Sequence, residues 1–274
     1  MEQAFRYRFY PTPEQENLLR RTMGCTRLVY NRALSARTEA WYEKQQRIDY
    51  AETSSMLTQW KKTDDLQFLN EVSCVPLQQG LRHLQKAFSN FFAGRAKYPN
   101  FKKKHNGGSA EFTKSAFSWK DGQVFLAKCT TALPICWSRQ LPEGCSPSTI
   151  TVKLDARGRW YVSLLVDNPN IKPLPTCMRV HRGDTPPSDT RTKSVGLDVG
   201  ITSLLTTSDG DKIANPRHFK RHRKKLKRIQ KSLRRKKKGS NNRDKARVKV
   251  ARAHGKIADS RKDELHKLTT QLVL

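Results

Sequence analysis

Between Arg217 and Lys262 the chain holds only two acids, Asp244 and Asp259, in a run dominated by lysine and arginine. Such a segment cannot be buried, because each unpaired cation is expensive to desolvate. Its like charges also repel one another unless a polyanion neutralises them. Phe219, Leu226, Ile229 and Leu233 recur at helical spacing after Pro216. KKKGSNNRDK (236–245) breaks the pattern, and a second helix follows with Val250, His254, Ile257, Arg261, Leu265, Leu268 and Leu272 on one face. The segment is expected to form a basic helical hairpin with a narrow apolar seam, laid along a polyanion. The whole chain shares the bias: 54 Lys and Arg against 24 Asp and Glu give a net charge of +30. Nucleic acid is the partner this implies. The candidate contacts are Arg221, Lys224, Lys225, Arg228, Arg235, Lys236, Lys237, Lys238 and Arg243.

Other classes fit less well. No apolar run reaches the ~20 residues that span a bilayer, and MEQAFRYRFYPTPEQ lacks the apolar stretch of a signal peptide. The expectation is a cytoplasmic, nucleoid-associated protein of a prokaryotic host, with no membrane partner. The six cysteines, Cys25, Cys74, Cys129, Cys136, Cys145 and Cys177, include no C-x-x-C pair, so no zinc is expected in this chain. They read as reduced, small apolar residues. The seven histidines are dispersed; His105 and His218 are loop positions better read as surface residues than as phosphate contacts.

With 274 residues, the chain is long enough for two domains and a sizeable core. AFRYRFY (4–10) alternates Phe5, Tyr7 and Phe9 with Arg6 and Arg8, which predicts a strand with one packed and one basic face. Arg6 and Arg8 are further candidate contacts. Thr12-Pro13-Glu14-Gln15 is a helix start with a capping box, followed by Leu18, Thr22, Cys25, Val29 and Ala33 at helical spacing. Helices are expected to continue to about residue 93. Their clearest stripe, Leu77, Leu81, Leu84, Phe88 and Phe91, reads as helix packing. YPNFKKKHNGGS (98–109) is a loop, and its Lys102, Lys103 and Lys104 are candidate contacts. Short strands follow, with turns at Lys120-Asp121-Gly122 and Asp155-Ala156-Arg157-Gly158. The region 96–168 is expected to be a β-barrel that also takes the first strand, with residues 11–95 as a helical insertion. Residues 169–193, with five prolines, read as a linker.

SVGLDVGITSLLTTSDGDKIANP (194–216) reads as a buried strand, a glycine turn and two more antiparallel strands. Asp198 ends the first of them. Three readings stay open on pattern alone. A ribonuclease-H-like nuclease uses such a carboxylate, with others, to hold two divalent metals. Actin- and chaperone-type ATPases open with a similar Gly-x-Asp-x-Gly, but no second glycine-rich phosphate loop is present. The third is an ordinary hairpin with Asp198 as a turn residue. The charge excess and the basic hairpin favour the nuclease.

The chain also resembles the TnpB-type (OrfB) family of transposon-encoded proteins, RNA-guided DNA endonucleases long called transposases. The resemblance lies in FRYRFYPTPEQENLL, PLQQGLRHLQKAFSNFF, YPNFKKK, GRWYVSLLV and VGLDVGITSLLTTSDGDKIANPR, and it continues through LKRIQKSLRRKKKGSNNRDKARVKVARAHGKIADSRKDELHKLTTQLV. It runs colinearly over nearly the whole chain. It implies an α+β, multidomain protein: a β-barrel wedge domain (1–10 and 96–168) around a helical recognition insertion (11–95), a linker (169–193), and a RuvC-like, ribonuclease-H-like domain (194–274). It further implies a guide RNA from the transposon end, a double-stranded DNA target and Mg²⁺. Asp198 matches the family's first catalytic, metal-binding carboxylate. The family's later glutamate, zinc ribbon and last aspartate would come after QLVL. The chain is therefore expected to be a C-terminally truncated member with a partial RuvC-like domain, binding nucleic acid and cleaving little or not at all alone. The alternative is a nuclease-inactive RNA-guided DNA-binding protein or repressor.

Overall fold

Thr12 sets the start of the first helix by its capping chemistry. Its hydroxyl accepts from the Gln15 backbone N–H, and the Gln15 side chain accepts from the Thr12 N–H in return. The resulting helix α1 (Pro13–Lys44) is 32 residues long. In the computed structural model, which describes residues 1–104, 107–169 and 196–273, the chain divides into two units, Met1–Lys172 and Pro173–Leu274.

The first unit begins with β1 (Glu2–Phe9), whose Phe5, Tyr7 and Phe9 are buried while Arg6 is exposed. After α1 come α2 (Tyr50–Trp60), a 3-10 turn (Asp64–Asn70) and α3 (Cys74–Phe92). Buried Val29, Ala33, Leu34, Leu57, Leu69, Leu77, Leu81 and Leu84 form one helical core. Gly80 permits the close approach of α3 to α1, since a Cβ there would stand 3.1 Å from the Thr26 methyl.

The strands that follow are β2 (Gly108–Thr113), β3 (Phe117–Lys120), β4 (Gln123–Leu126), β5 (Ile135–Cys136), β6 (Pro147–Leu154) and β7 (Trp160–Asp167). Five of the first unit's strands form one sheet in the order β2-β6-β7-β1-β5, with antiparallel neighbours. β1 thus lies between β7 and β5, on the far side of the helices in sequence. Among the described residues no ladder joins the outer strands β2 and β5, so the sheet is open where a barrel was expected. The β3–β4 hairpin covers its face instead: Val124 and Leu126 share a core with Phe9, Ile150, Val162 and Leu164. That burial satisfies the apolar face without an unbroken ring of backbone hydrogen bonds. Both expected turns are present. Asp121 and Gly122 take positive φ values of 49° and 72°, as a two-residue hairpin turn demands.

The second unit has a small antiparallel sheet, order β10-β9-β8, made of β8 (Leu197–Asp198), β9 (Ser203–Thr207) and β10 (Lys212–Ala214). The basic helices are α4 (His218–Arg234) and α5 (Asn241–Val273). Their seam is thin: Leu226, Ala246, Ile257 and Leu268 are the buried apolar residues of the pair, while Phe219 and Leu265 stay exposed. The first strand was expected to be buried. Instead Leu197, Val199 and Ile201 are 48%, 75% and 90% exposed. β8 is a two-residue edge strand hydrogen-bonded on one side only, to β9, which leaves its faces uncovered among the described residues.

Candidate nucleic-acid interface and the Asp198 strand

Three basic surfaces take shape from the fold. The first is the outer face of the large sheet. Arg6 pairs across the ladder with Ser163 and Arg8 with Tyr161. The Arg6 guanidinium stands 3.8 Å from the Tyr161 ring centroid, and those of Arg8 and Arg159 stand 4.9 and 5.6 Å away. Three cations thus gather round one tyrosine, a geometry that holds guanidinium groups in place by cation–π attraction. Arg159 is also tied to Asp155, which accepts from the backbone N–H groups of Arg157 and Arg159 and from both side chains. Burial alone would raise the Asp155 carboxyl; the donors from Arg159 and Arg157 outweigh it and hold the carboxyl below its usual value.

The second surface is a cleft of about 210 Å³ lined by Arg27 of α1, Lys102 and Lys103 of the loop, Lys153 of β6 and the backbone at Gly107 and Gly108. Asn31 clamps the loop: its amide donates to the Lys102 carbonyl at 3.0 Å, and its Oδ1 accepts from the Lys102 N–H at 2.8 Å. Lys102 Nζ lies 3.9 Å from the Tyr30 ring centroid. Gly107 needs to be glycine, because its φ is +84° and a Cβ would come within 2.3 Å of the Leu154 carbonyl oxygen. The sequence pointed to the lysine run but not to Arg27 or Lys153, which reach the cleft from a helix and a strand distant in sequence. Lys104 is exposed and lies outside this lining, and His105 lies outside the described residues.

The third surface is the end of the α4–α5 hairpin. Arg228, Arg235 and Lys236 converge with Lys231 on a concavity of about 360 Å³. Arg228 and Lys236 also line an adjoining groove of about 490 Å³ with Lys245 and Lys249. Lys225 faces a separate groove between the helices, while Arg221, Lys224, Lys237 and Lys238 are exposed on the outside. Arg243 has a structural role beside the contact expected of it. Its guanidinium donates to the carbonyl oxygens of Leu233 and Lys236, at 3.2 and 2.7 Å, and so caps the end of α4. Among the described residues, no helix is long and apolar enough to cross a membrane.

Asp198 is exposed, at the end of β8 and opposite Thr206. The turn after it is tied down by Asn215, whose amide donates to the Ile201 carbonyl oxygen at 3.1 Å. Asp209 sits in the β9–β10 turn, where Ser208 donates to it, and the Asp211 N–H donates to the Thr207 hydroxyl. Among the described residues no group of three or more His, Cys, Asp or Glu could hold a metal ion. The described residues therefore do not gather the several carboxylates on one pair of ions that a two-metal centre needs. The described cysteines are free thiols; Cys25 is part of the helical core, and Cys129 and Cys145 pack against the sheet core. Cys177 lies outside the described residues.

Strand, cleft and hairpin make an α+β chain with cations gathered into grooves, and its sequence matches two models of the OrfB_IS605 type. The family described as "Probable transposase" (OrfB_IS605) matches residues 175–274, and its helix-turn-helix domain (HTH_OrfB_IS605) matches residues 1–46. Here residues 1–46 hold β1 and the single long helix α1. A Streptomyces pristinaespiralis protein named "Putative RNA-guided DNA endonuclease" is 54% identical over 274 residues, covering 100% of this chain and 64% of its own length. The Escherichia coli protein "Putative RNA-guided DNA endonuclease InsQ" is 34% identical, over 98% of this chain and 62% of its own length. The chain thus spans a little under two thirds of these relatives. A cryo-EM structure of a Cas12f1–sgRNA–target DNA complex aligns with 99% of this chain and 69% of that one, at 13% identity and a TM-score of 0.36.

Proposed function

We propose that the chain binds guide RNA, and with it target double-stranded DNA, as part of a TnpB-type RNA-guided DNA endonuclease. The observation that carries this is the 54% identity, along the whole chain, to the Streptomyces protein of that name. The three gathered basic surfaces support it, because phosphate neutralisation by Lys and Arg supplies most of the affinity for a nucleic-acid backbone. In this reading β1 to β7 form the wedge domain, α1 to α3 the recognition insertion, and the second unit a partial RuvC-like domain. Asp198 is one metal-binding carboxylate for Mg²⁺. It works only with carboxylates that are not gathered near it among the described residues.

The test sets this chain beside the Streptomyces relative, each as wild type and with the β8 aspartate replaced by alanine (Asp198→Ala here). All four receive guide RNA, matched DNA and Mg²⁺. The relative is expected to cut and to lose cutting on substitution. The 274-residue chain is expected to bind RNA and DNA without cutting, and Asp198→Ala to leave its binding unchanged. Asp198-dependent cutting by the short chain would show that carboxylates within it complete the site. Failure to bind RNA at all would overturn the proposal.

A further inference from the structure

At the end of the helical bundle, away from the basic cleft, lies an open aromatic pocket of about 330 Å³. That volume is in the range that takes small organic groups. Its rings come from three places. Trp41 is on the last turns of α1, Phe91 and Phe92 end α3, and Tyr98 is on the loop that follows. The sequence reading assigned Phe88 and Phe91 together to helix packing, but only Phe88 is buried; Phe92 is 68% exposed and Phe91 is intermediate.

The pocket is preformed. Tyr98 stands edge-on to Phe88 and Phe91, with ring centroids 5.6 and 5.3 Å apart, and its hydroxyl shares a 2.8 Å hydrogen bond with Thr38. Gln45, with φ of 52°, ends α1 in a left-handed cap and turns the chain back toward the pocket. Two guanidinium groups stand at the rings. That of Arg37 is 4.4 Å from the Phe88 centroid, and that of Arg47 is 5.7 Å from both Trp41 and Phe92. Arg47 has no carboxylate partner among the described residues.

We propose that this pocket stacks an unpaired base of single-stranded RNA, with Arg47 meeting the flanking phosphate. The inference rests on the nucleic-acid-binding reading above and assigns it a second kind of contact. Flat rings with guanidinium groups beside them, Arg47 without a carboxylate partner among the described residues, match a base and its backbone together. Structured RNA displays unstacked bases in loops and bulges, whereas a base of duplex DNA must first be pulled out at a cost. A second copy of this chain is a poor occupant, because a two-fold contact would set Arg37 and Arg47 against their own images on a molecule of net charge +30.

The test titrates the full chain into a single-stranded RNA of about ten nucleotides with 2-aminopurine at an internal position. Binding is expected to quench the probe. Phe92→Ala and Trp41→Ala should each remove most of the quenching and weaken binding by about tenfold. The salt slope should stay unchanged, because no phosphate contact is lost. Phe92→Tyr should retain quenching where Phe92→Leu does not, which separates stacking from simple apolar area, and unaltered melting temperatures show that the variants are folded. Equal quenching by wild type and Phe92→Ala would overturn the pocket while leaving RNA binding intact. Stronger quenching of single-stranded DNA would overturn the assignment to RNA. Loss of a dimer on Phe92→Ala, with RNA binding unchanged, would make the pocket a self-interface. No RNA binding by the wild type would remove the broader reading as well.

Discussion

The two units of this chain solve the same electrostatic problem in opposite ways. The first gathers its cations around a substantial core: two apolar clusters bury residues of every helix and of all the longer strands. Several of its arginines lie against aromatic rings, bond to Asp155 or pair with a glutamate. Among the described residues the second unit has Leu205, Leu226, Ala246, Ile257 and Leu268 as its buried apolar residues, and its helices expose lysine and arginine on nearly every turn. A core fixes the positions of charges it surrounds; a thin seam leaves them to repel one another. The first unit should therefore hold its geometry unaided, while the second should depend on what neutralises it.

All five tryptophans, Trp41, Trp60, Trp119, Trp137 and Trp160, belong to the first unit, so their fluorescence reports on it alone. The largest expected effect uses this. Leu84→Ala, in the helical core, should cost about 2–5 kcal/mol and shift the fluorescence transition strongly. Ile257→Ala should reduce helicity by circular dichroism and leave that transition in place. If Ile257→Ala moved the tryptophan transition as far as Leu84→Ala, the contrast between the units would be gone. Next in size, Thr12→Ala removes the capping box of α1 and should cost about 1 kcal/mol, read in the same fluorescence transition.

The smallest effect is a pH dependence. Because the Asp155 pKa is depressed on folding, its contribution is present above the ordinary aspartate value and is lost as pH falls through the depressed one. Asp155→Asn should lower the first unit's stability at neutral pH and change it least in acid, so that the acid side of its stability curve flattens. An unchanged acid limb would mean that the Arg157 and Arg159 contacts do not hold in solution.

What could be read from the sequence was what local chemistry decides. The Thr12 capping box, the alternation of Phe5, Tyr7 and Phe9, the turns at Asp121 and Asp155, and the break before Asn241 each follow from residues within a few positions. What long-range packing decides was not legible. The open edges at β2 and β5 depend on how the β3–β4 hairpin covers the sheet, which no periodicity records. Arg243 looked like one more cation of the basic run, and only the return of α5 beside the end of α4 makes it a cap. Phe91 fitted a packing stripe with Phe88, but the stripe runs past the end of the core that could cover it. Asp198 was found by its place at the end of a strand, whereas its exposure depends on what packs over that strand, which no local pattern records.

The most direct test of the central claim, that this charge is organised to hold a nucleic-acid backbone, is the salt dependence of binding to a structured RNA. If ~8 phosphates are neutralised, the slope of log K against log salt should lie near −7. Replacing Lys236, Lys237 and Lys238 together with Gln should make that slope shallower by ~3 without altering the melt, since all three side chains are exposed. A flat slope for the wild-type chain, or a triple variant that keeps the full slope, would contradict the claim.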